Sequence, residues 1–359
     1  MEYIGILLDN MICNGIPYGR TGAENISFYE KAAKLYGLTP CFFRLKDINS
    51  ENNEVTAYVK DSLGNYEKKR MPLPRVIHNR GLYFSKKYKD YLLSLVEKGL
   101  ILYNQWNRYR KLEVYNILKK HNDLIENIPE TQRGTKDNIM EMLSKHSSLI
   151  IKPDSGSLGM GLMKIEKHES ENILTMLGKG KEELLKIPFT DDIPKELKNK
   201  ISYGNYIVQE YIDLATYKGK PFDLRVTCQK NHLGRWQMTG IYGKVAKGGS
   251  FVTNVARGGS AYQLGALLQD TVFDEKKMIE RIEQVSLNIS KVLEGRFQGL
   301  ADIGMDVGVT TEGTIKFIEC NGRDLRYGFK NADMYDTWEN TYINPIGYGK
   351  FLLERRCIH

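Results

Sequence analysis

Residues 150–167 read IIKPDSGSLGMGLMKIEK, two apolar stretches joined by a glycine-rich turn, with Lys152 at the end of the first. Each apolar run has strand length, and Gly156, Gly159 and Gly161 punctuate the segment between them. Glycine lets the backbone turn tightly enough for successive N–H groups to converge on one anion, and a neighbouring lysine adds positive charge. That is the makeup of a phosphate cradle. Alone, the stretch fits an ordinary β-hairpin equally well, because Gly and Ser mark turns of every kind.

A second stretch, ADIGMDVGVTTEGTIKFIECNGRDLRYGF from Ala301 to Phe329, adds metal chemistry. It reads as a strand from Asp302 to Val309, a turn at Thr310 to Gly313, and a return strand carrying Glu319 and Asn321. Side chains alternate along a strand, so Glu319 and Asn321 are expected on one face, with Ile318 and Cys320 on the other. Asp306 stands across the hairpin. Two carboxylates and an amide are hard oxygen donors suited to Mg²⁺ held jointly with phosphates and water. A hairpin with merely solvated acids is the alternative, but strands are normally depleted in Asp and Asn.

With these two stretches in place, the chain resembles the ATP-grasp enzymes, and among them the YheC/YheD-type proteins described as associated with the endospore coat. The resemblance extends over most of the chain. It runs through Lys111 after the aromatic-rich NQWNRYR, the lysine and glycine loop at Lys152, VQEYIDL at Val208 to Leu214, and PFDLRVTCQKN at Pro221 to Asn231. GKVAKGGSFVTNVARGG at Gly243 to Gly259 and the set Asp306, Glu319 and Asn321 complete it. The implied fold is α/β, α+β in parts: an N-terminal α/β pre-ATP-grasp domain and two α+β lobes enclosing ATP.

The resemblance also implies roles. Lys111 and Lys152 match the lysines that contact ATP phosphates, and the loop with Ser155, Gly156, Ser157, Gly159 and Gly161 matches the one that closes over them. Glu210 and Tyr211, flanked by Gln209 and Ile212, match the hinge beside the adenine, with Asp223 and Arg225 as further nucleotide contacts. Asp306, Glu319 and Asn321 match the Mg²⁺ ligands. Asn254 resembles the asparagine near the phosphates, while Lys244 stands where many relatives have an arginine aimed at the transferred phosphoryl group. Arg323 is expected beside that group. Arg20, Arg80, Arg257, Gly258 and Arg326 are candidates for the acceptor side, because guanidinium binds carboxylate bidentately; surface salt bridges would explain such arginines as well. Gly322, Arg323 and Asp324 follow Asn321 where many relatives have a proline-containing turn.

Pattern along the chain suggests three parts. Residues 1–104 alternate strands (EYIGILL, PCFFRL, RVIHNRG, ILYNQ) with helices (ISFYEKAAKLYGL, YKDYLLSLVEKGL), an α/β layer with a largely parallel sheet. Residues 105–206 form the lobe with the glycine loop, in which the charged, proline-punctuated segment 168–205 reads as a mobile lid or surface excursion. Residues 207–359 form the lobe with the metal hairpin, including long β-ribbons to Val255 and a helix after Asp274.

Composition excludes several classes. No apolar run approaches the roughly 20 residues that span a bilayer, and MEYIGILLDNM reads as a first strand rather than a secretory leader. Five dispersed cysteines without a CxxC pair, and six scattered histidines without HExxH, argue for reduced thiols in the cytoplasm and against a histidine metal site. The net charge of +8 invites nucleic acid, but the lysine pairs lie in helical patterns of mixed charge and no nucleic-acid motif accompanies them. The expectation is a monomer or homodimer, spore-associated by resemblance, acting on a small-molecule or peptide substrate with ATP and Mg²⁺. The implied reaction is ligation of an amino-acid or peptide carboxylate to an amine through an acyl phosphate. A kinase with a hydroxyl acceptor and a non-catalytic nucleotide-binding coat protein are the alternatives, because fold does not decide the acceptor.

Overall fold

The computed structural model describes residues 2–156, 160–177, 184–246 and 260–355. The first sheet contains β1 (Glu2–Leu7), β2 (Leu38–Phe43), β3 (Ile48–Asn49), β4 (Glu54–Lys60), β5 (Tyr66–Pro72), β6 (Val76–Asn79) and β7 (Ile101–Tyr103). Its centre is parallel, β2-β1-β6-β7, while β3, β4 and β5 form an antiparallel edge. The parallel part follows the sequence pattern. The β4–β5 hairpin is an addition, although Val55, Ala57 and Val59 bury one face of β4 in plain alternation.

The second sheet has the order β12-β11-β10-β9-β13-β8. Its strands are β8 (Thr131–Arg133), β9 (Ser148–Pro153), β10 (Met163–Lys167), β11 (Asn172–Leu177), β12 (Leu184–Phe189) and β13 (Tyr206–Glu210). The described part of segment 168–205 is therefore not an excursion. β11 and β12 extend this sheet, and Leu174, Met176, Phe189, Ile193 and Leu197 join its core. The charges that disguised these strands lie on exposed faces, and Pro188 is tolerated because β12 is an edge strand.

The third sheet has the order β17-β16-β15-β18-β19, with β14 (Thr216–Tyr217) paired to β15. It is built from β15 (Lys220–Lys230), β16 (Trp236–Val245), β17 (Ser260–Tyr262), β18 (Asp302–Val309) and β19 (Ile315–Asn321). The predicted ribbon ends at Val245, and its continuation to Val255 lies outside the described residues. Helix Glu275–Arg296 packs on this sheet through Met278, Ile282, Ile289 and Leu293. It starts where expected, the Asp274 carboxylate accepting from the Lys277 N–H at 2.8 Å.

The last helix, Tyr335–Arg355, was not legible in advance because Pro345, Gly347 and Gly349 lie inside it. Packing explains all three. A Cβ at Gly347 would stand 2.6 Å from the Tyr36 hydroxyl, and one at Gly349 only 2.2 Å from Ile4 Cδ1, so the glycines let the helix lie closely on the first sheet. Pro345 cannot donate to the Thr341 carbonyl, which instead accepts from Gln229 Nε2 at 2.8 Å.

First and third sheets meet over a buried ion cluster. The wholly buried Asp302 of β18 accepts from Arg326 and, at 3.4 Å, from Arg80, and Gln229 donates to its other oxygen at 2.9 Å. Arg80 in turn donates to Glu24 at 2.7 Å. Burial alone would raise the Asp302 carboxyl, but Arg326, His78 and Arg80 hold it well below its ordinary range. His78, 3.4 Å from Asp302, is driven down to about 4 by burial and stays neutral. The pH signs agree. His78 binds its proton more weakly in the folded than in the unfolded chain, so stability falls as pH drops from 6.5 toward 4, and the Asp302 contribution is lost below the ordinary 3.8. Asp302→Asn leaves Arg326 buried without its anion and is expected to cost about 3–5 kcal/mol in denaturant unfolding at pH 7. The deficit should narrow in acid; equal stability of variant and wild type at pH 7 would contradict this account.

Candidate functional site

The glycine-loop hairpin forms as its sequence implies. β9 pairs antiparallel with β10, Ile151 opposite Met163. Gly156 (φ 140°) and Gly161 (φ 75°) take conformations that disfavour other residues, and a Cβ at Gly161 would press on Pro153 and the Tyr206 hydroxyl at 3.1 Å. Ser157 and Gly159 lie outside the described residues, as do Asn254, Arg257 and Gly258.

Lys111 is delivered to this loop by a cap that local sequence does not reveal. Helix Lys111–Leu118 starts against Asp154, whose carboxylate accepts from the Leu112 N–H at 2.8 Å and whose carbonyl accepts from the Lys111 N–H at 2.9 Å. The Lys111 ammonium then donates to the Gly156 carbonyl at 2.9 Å and stands 3.4 Å from the Glu319 carboxylate. One lysine thus touches both the glycine loop and the acidic hairpin. Ser155 is exposed at the edge of the same turn.

Lys152 is almost wholly buried. Its ammonium donates to Gln209 Oε1 at 2.9 Å and to the Ile318 carbonyl at 3.3 Å, with the Tyr115 hydroxyl at 3.4 Å. Burial, reinforced by Lys111, outweighs Glu319 and Asp306 and lowers its pKa to about 8. Gln209 is held from the other side, donating to Thr131 Oγ1 at 2.6 Å. Glu210 ends β13 and accepts from Lys316 at 3.3 Å, while Lys164 stands 4.2 Å over the Tyr211 ring. Ile212, Leu214 and Ile318 converge where a Gly308 Cβ would stand, at 3.7, 2.3 and 3.5 Å. They form an apolar surface beside the hinge.

The third sheet aligns the charged residues in register across four strands. Lys244 lies opposite Asp223, Arg225 opposite Asp306, and Asp306 opposite Glu319. Lys244 stands 3.0 Å from both Asp223 and Asp306, and Arg225 Nε donates to Asp306 at 2.6 Å. Burial would raise Asp306, yet Arg225 and Lys244 hold it far below its ordinary range. The pairing shifts register between Asp306 and Val307, leaving Ile318 as an extra residue in β19. That bulge corrects the simple alternation: Ile318 turns toward Gly308, onto the face of Glu319, rather than away with Cys320.

The donor set fits a divalent cation shared with phosphate. Asp306 and Glu319 are adjacent across the hairpin, and Asn321, two residues along, has a buried amide nitrogen with no hydrogen-bond partner. Among the described residues no group of three or more His, Cys, Asp or Glu side chains could hold a metal, so phosphate oxygens would have to complete the coordination.

The arginines separate. Arg80 and Arg326 are committed to the buried Asp302 cluster, away from any open face. Arg20 is exposed beyond the first short helix. Arg323 follows the metal strand, paired with Asp9, which ends the β1 loop; its Nε is buried without a partner. A cavity of about 770 Å³ borders Tyr115, Thr131, Glu210 and Lys316 but contains none of Lys111, Lys152, Asp306 or Glu319. Tyr115 beside Lys152, Asp154 at the start of the Lys111 helix, and Asp324, which accepts from Arg225 and from Thr227, are neighbours of these residues to which the sequence assigned no role; all are set by tertiary contacts rather than motif spacing.

The YheC/D-like ATP-grasp family model matches residues 99–352, which include every described residue of this arrangement except Asp9, Arg20 and Arg80. The chain belongs to the YheC/D-like ATP-grasp family. Endospore coat-associated protein YheD of Bacillus subtilis (strain 168) is 25% identical over 88% of this chain and 71% of its own length. YheC of the same organism is 22% identical over 91% of each. Among solved structures, the ATP-grasp ligase PsnB complexed with minimal precursor superposes with TM-score 0.52 at 13% identity, covering 92% of this chain and 94% of PsnB. VanG D-Ala:D-Ser ligase from Enterococcus faecalis does so with TM-score 0.53 at 11% identity, covering 97% and 99%. The fold is ATP-grasp. No helix among the described residues is long and apolar enough to cross a membrane.

Lys152 supplies a test by pH. A phosphate beside it favours the ammonium, so nucleotide affinity should be full below about pH 8 and fall as pH rises above it. Calorimetric ADP titrations between pH 7 and 9.5, in buffers of differing ionisation enthalpy, should show proton uptake on binding near pH 8.5; pH-independent affinity would exclude Lys152 as a phosphate contact.

Proposed function

We propose that this protein is an ATP-dependent ligase that joins the carboxylate of an amino acid or peptide to an amine. The reading rests on one observation: the Lys111 ammonium touches both the Gly156 carbonyl of the glycine loop and Glu319 of β19, which joins the expected phosphate loop to the expected metal hairpin. Residues 1–104, 105–206 and 207–359 act as three units in this reading, with ATP between the second and third.

Asp306, Glu319 and Asn321 would hold Mg²⁺, which when bound neutralises phosphate charge. Lys111, Lys152 and the loop amides stabilise the charge on the transferring phosphoryl group. Ile212, Leu214 and Ile318 offer an apolar seat for the adenine beside Glu210. The substrate carboxylate oxygen attacks the γ-phosphorus, and the bond to the bridging oxygen breaks with its electrons leaving on ADP. The amine nitrogen then attacks the acyl carbon, the C–O bond to phosphate breaks, and phosphate and the amine proton are released. Arg323 is the guanidinium placed to orient the carboxylate, exchanging Asp9 for substrate. The curated relatives' names add an association with the endospore coat, which we take as the setting of this activity.

Incubation with ATP, Mg²⁺ and pools of amino acids or short peptides should yield ADP, phosphate and a condensation product detectable by mass. ADP with a phosphorylated acceptor would make the protein a kinase, and absence of ADP would leave it a binding protein. Glu319→Ala should remain folded and lose at least about 100-fold in turnover; wild-type activity in this variant would remove Glu319 from the site. Arg323→Lys keeps the charge but loses the fork, so acceptor KM should rise about tenfold with ATP affinity unchanged. Unaltered acceptor kinetics would leave Arg20 as the next candidate clamp.

A further inference from the structure

Asp324 has no part in the reading above, yet it is wholly buried and saturated with contacts. Its Oδ1 accepts from Arg225 Nη1 at 2.7 Å, its Oδ2 from Thr227 Oγ1 at 2.5 Å, and its carbonyl from Arg80 Nη2 at 2.7 Å. It sits over Gly304, where a Cβ would come within 2.6 Å of Oδ1, so only glycine at that point of β18 admits the carboxylate. Arg225 is held at both ends. While Nη1 faces Asp324, Nε reaches Asp306 Oδ1 at 2.6 Å and Nη2 reaches Asp306 Oδ2 at 3.3 Å.

A guanidinium is planar and rigid, so fixing one edge fixes the other. Arg225 sets the position of Asp306, and its charge competes with any cation that Asp306 would hold. A second anion behind Arg225 divides that charge. We propose that Asp324 is a positioning residue for the metal carboxylate: it orients Arg225, tempers its charge toward Asp306, and thereby tunes the affinity of the site for a divalent cation bound with a nucleoside diphosphate. The inference rests on the reading that Asp306 is a metal ligand. Both carboxylate oxygens of Asp324 are taken by Arg225 and Thr227, so it acts through Arg225, and partners of this kind commonly alter metal affinity by about 10–100-fold.

The test uses the full chain, Mn²⁺ as probe and ADP as nucleotide. Free Mn²⁺ is followed by electron paramagnetic resonance in saturating ADP, and ADP affinity is measured separately in EDTA by calorimetry. Asp324→Asn keeps the shape but removes the charge; it should weaken Mn²⁺ binding about tenfold and leave metal-free ADP affinity unchanged. Thr227→Val preserves the Asp324 charge and removes one anchor, so it should move Mn²⁺ affinity less and in the same direction. If Asp324→Asn does not fold, Thr227→Val decides alone. Mn²⁺ binding equal to wild type overturns the proposal, as does an equal loss of metal-free ADP binding, which marks a general structural role. Wild-type protein that binds ADP but takes up no Mn²⁺ in its presence overturns the metal reading of Asp306 and the proposal with it.

Discussion

The arrangement depends on the burial of carboxylates along one strand. Asp302, Gly304 and Asp306 alternate along β18 on one face, and Asp324 lies over the glycine, so three acids line up in a space that excludes water. Carboxylates in such a place require cations. Arg80 and Arg326 answer Asp302, and Arg225 bridges Asp324 and Asp306. Because Arg80 directly follows β6 of the first sheet and Arg225 lies in β15 of the third, the same ion pairs that neutralise the acids lock the N-terminal layer against the strand that carries Asp306. Asn104 reinforces the joint, accepting from the backbone N–H groups of Ala301 and Asp302 at 2.9 Å.

This joint sits beside a more open region whose charges are paired more loosely. Lys111 lies 3.4 Å from Glu319 and also contacts the glycine loop, whereas Asp302 and Arg326 have no exposed surface. Rigid pairs on the closed side and exchangeable pairs on the open side are what a site needs if it is to take up a charged ligand without rebuilding its frame. Removing Lys111 from Glu319 exposes both to a phosphate and its cation. Removing Arg326 from Asp302 would leave both buried and unpaired.

Much of this was legible in sequence where function imposes local pattern. The lysine and glycine loop, the VQEYIDL segment and the Asp306 hairpin each keep their residues within a few positions, and the structure joins Lys152 to Gln209 and Lys111 to both Gly156 and Glu319. What sequence withheld was set by contacts distant along the chain. Asp154 caps a helix that begins at Lys111, and Arg80 and Arg326, which look like free guanidiniums in a motif, find their partner at Asp302. The helix Tyr335–Arg355 was hidden for a related reason: its glycines answer to Ile4 and Tyr36, and Gln229 replaces the hydrogen bond its proline cannot make. The charged segment 168–205 misled in the opposite sense, since strands at a sheet edge with one solvated face carry lysines without leaving the sheet.

Lys244 shows how far side-chain chemistry can be read once the register is known. The family resemblance leads one to expect an arginine there, and a lysine would lack its bidentate grip. In this chain the residue stands between two carboxylates on different strands, 3.0 Å from each. Burial would lower its pKa, but Asp223 and Asp306 hold it well above the ordinary lysine value, so it stays charged. An ammonium can donate in two divergent directions, which a planar fork directed at one carboxylate does less well. The fork is supplied from β15 instead, by Arg225 on Asp306. Lysine at 244 and arginine at 225 therefore divide the task of holding Asp306 between a point charge shared with Asp223 and a plane fixed by Asp324, so the departure at one position is matched by the acid at the other.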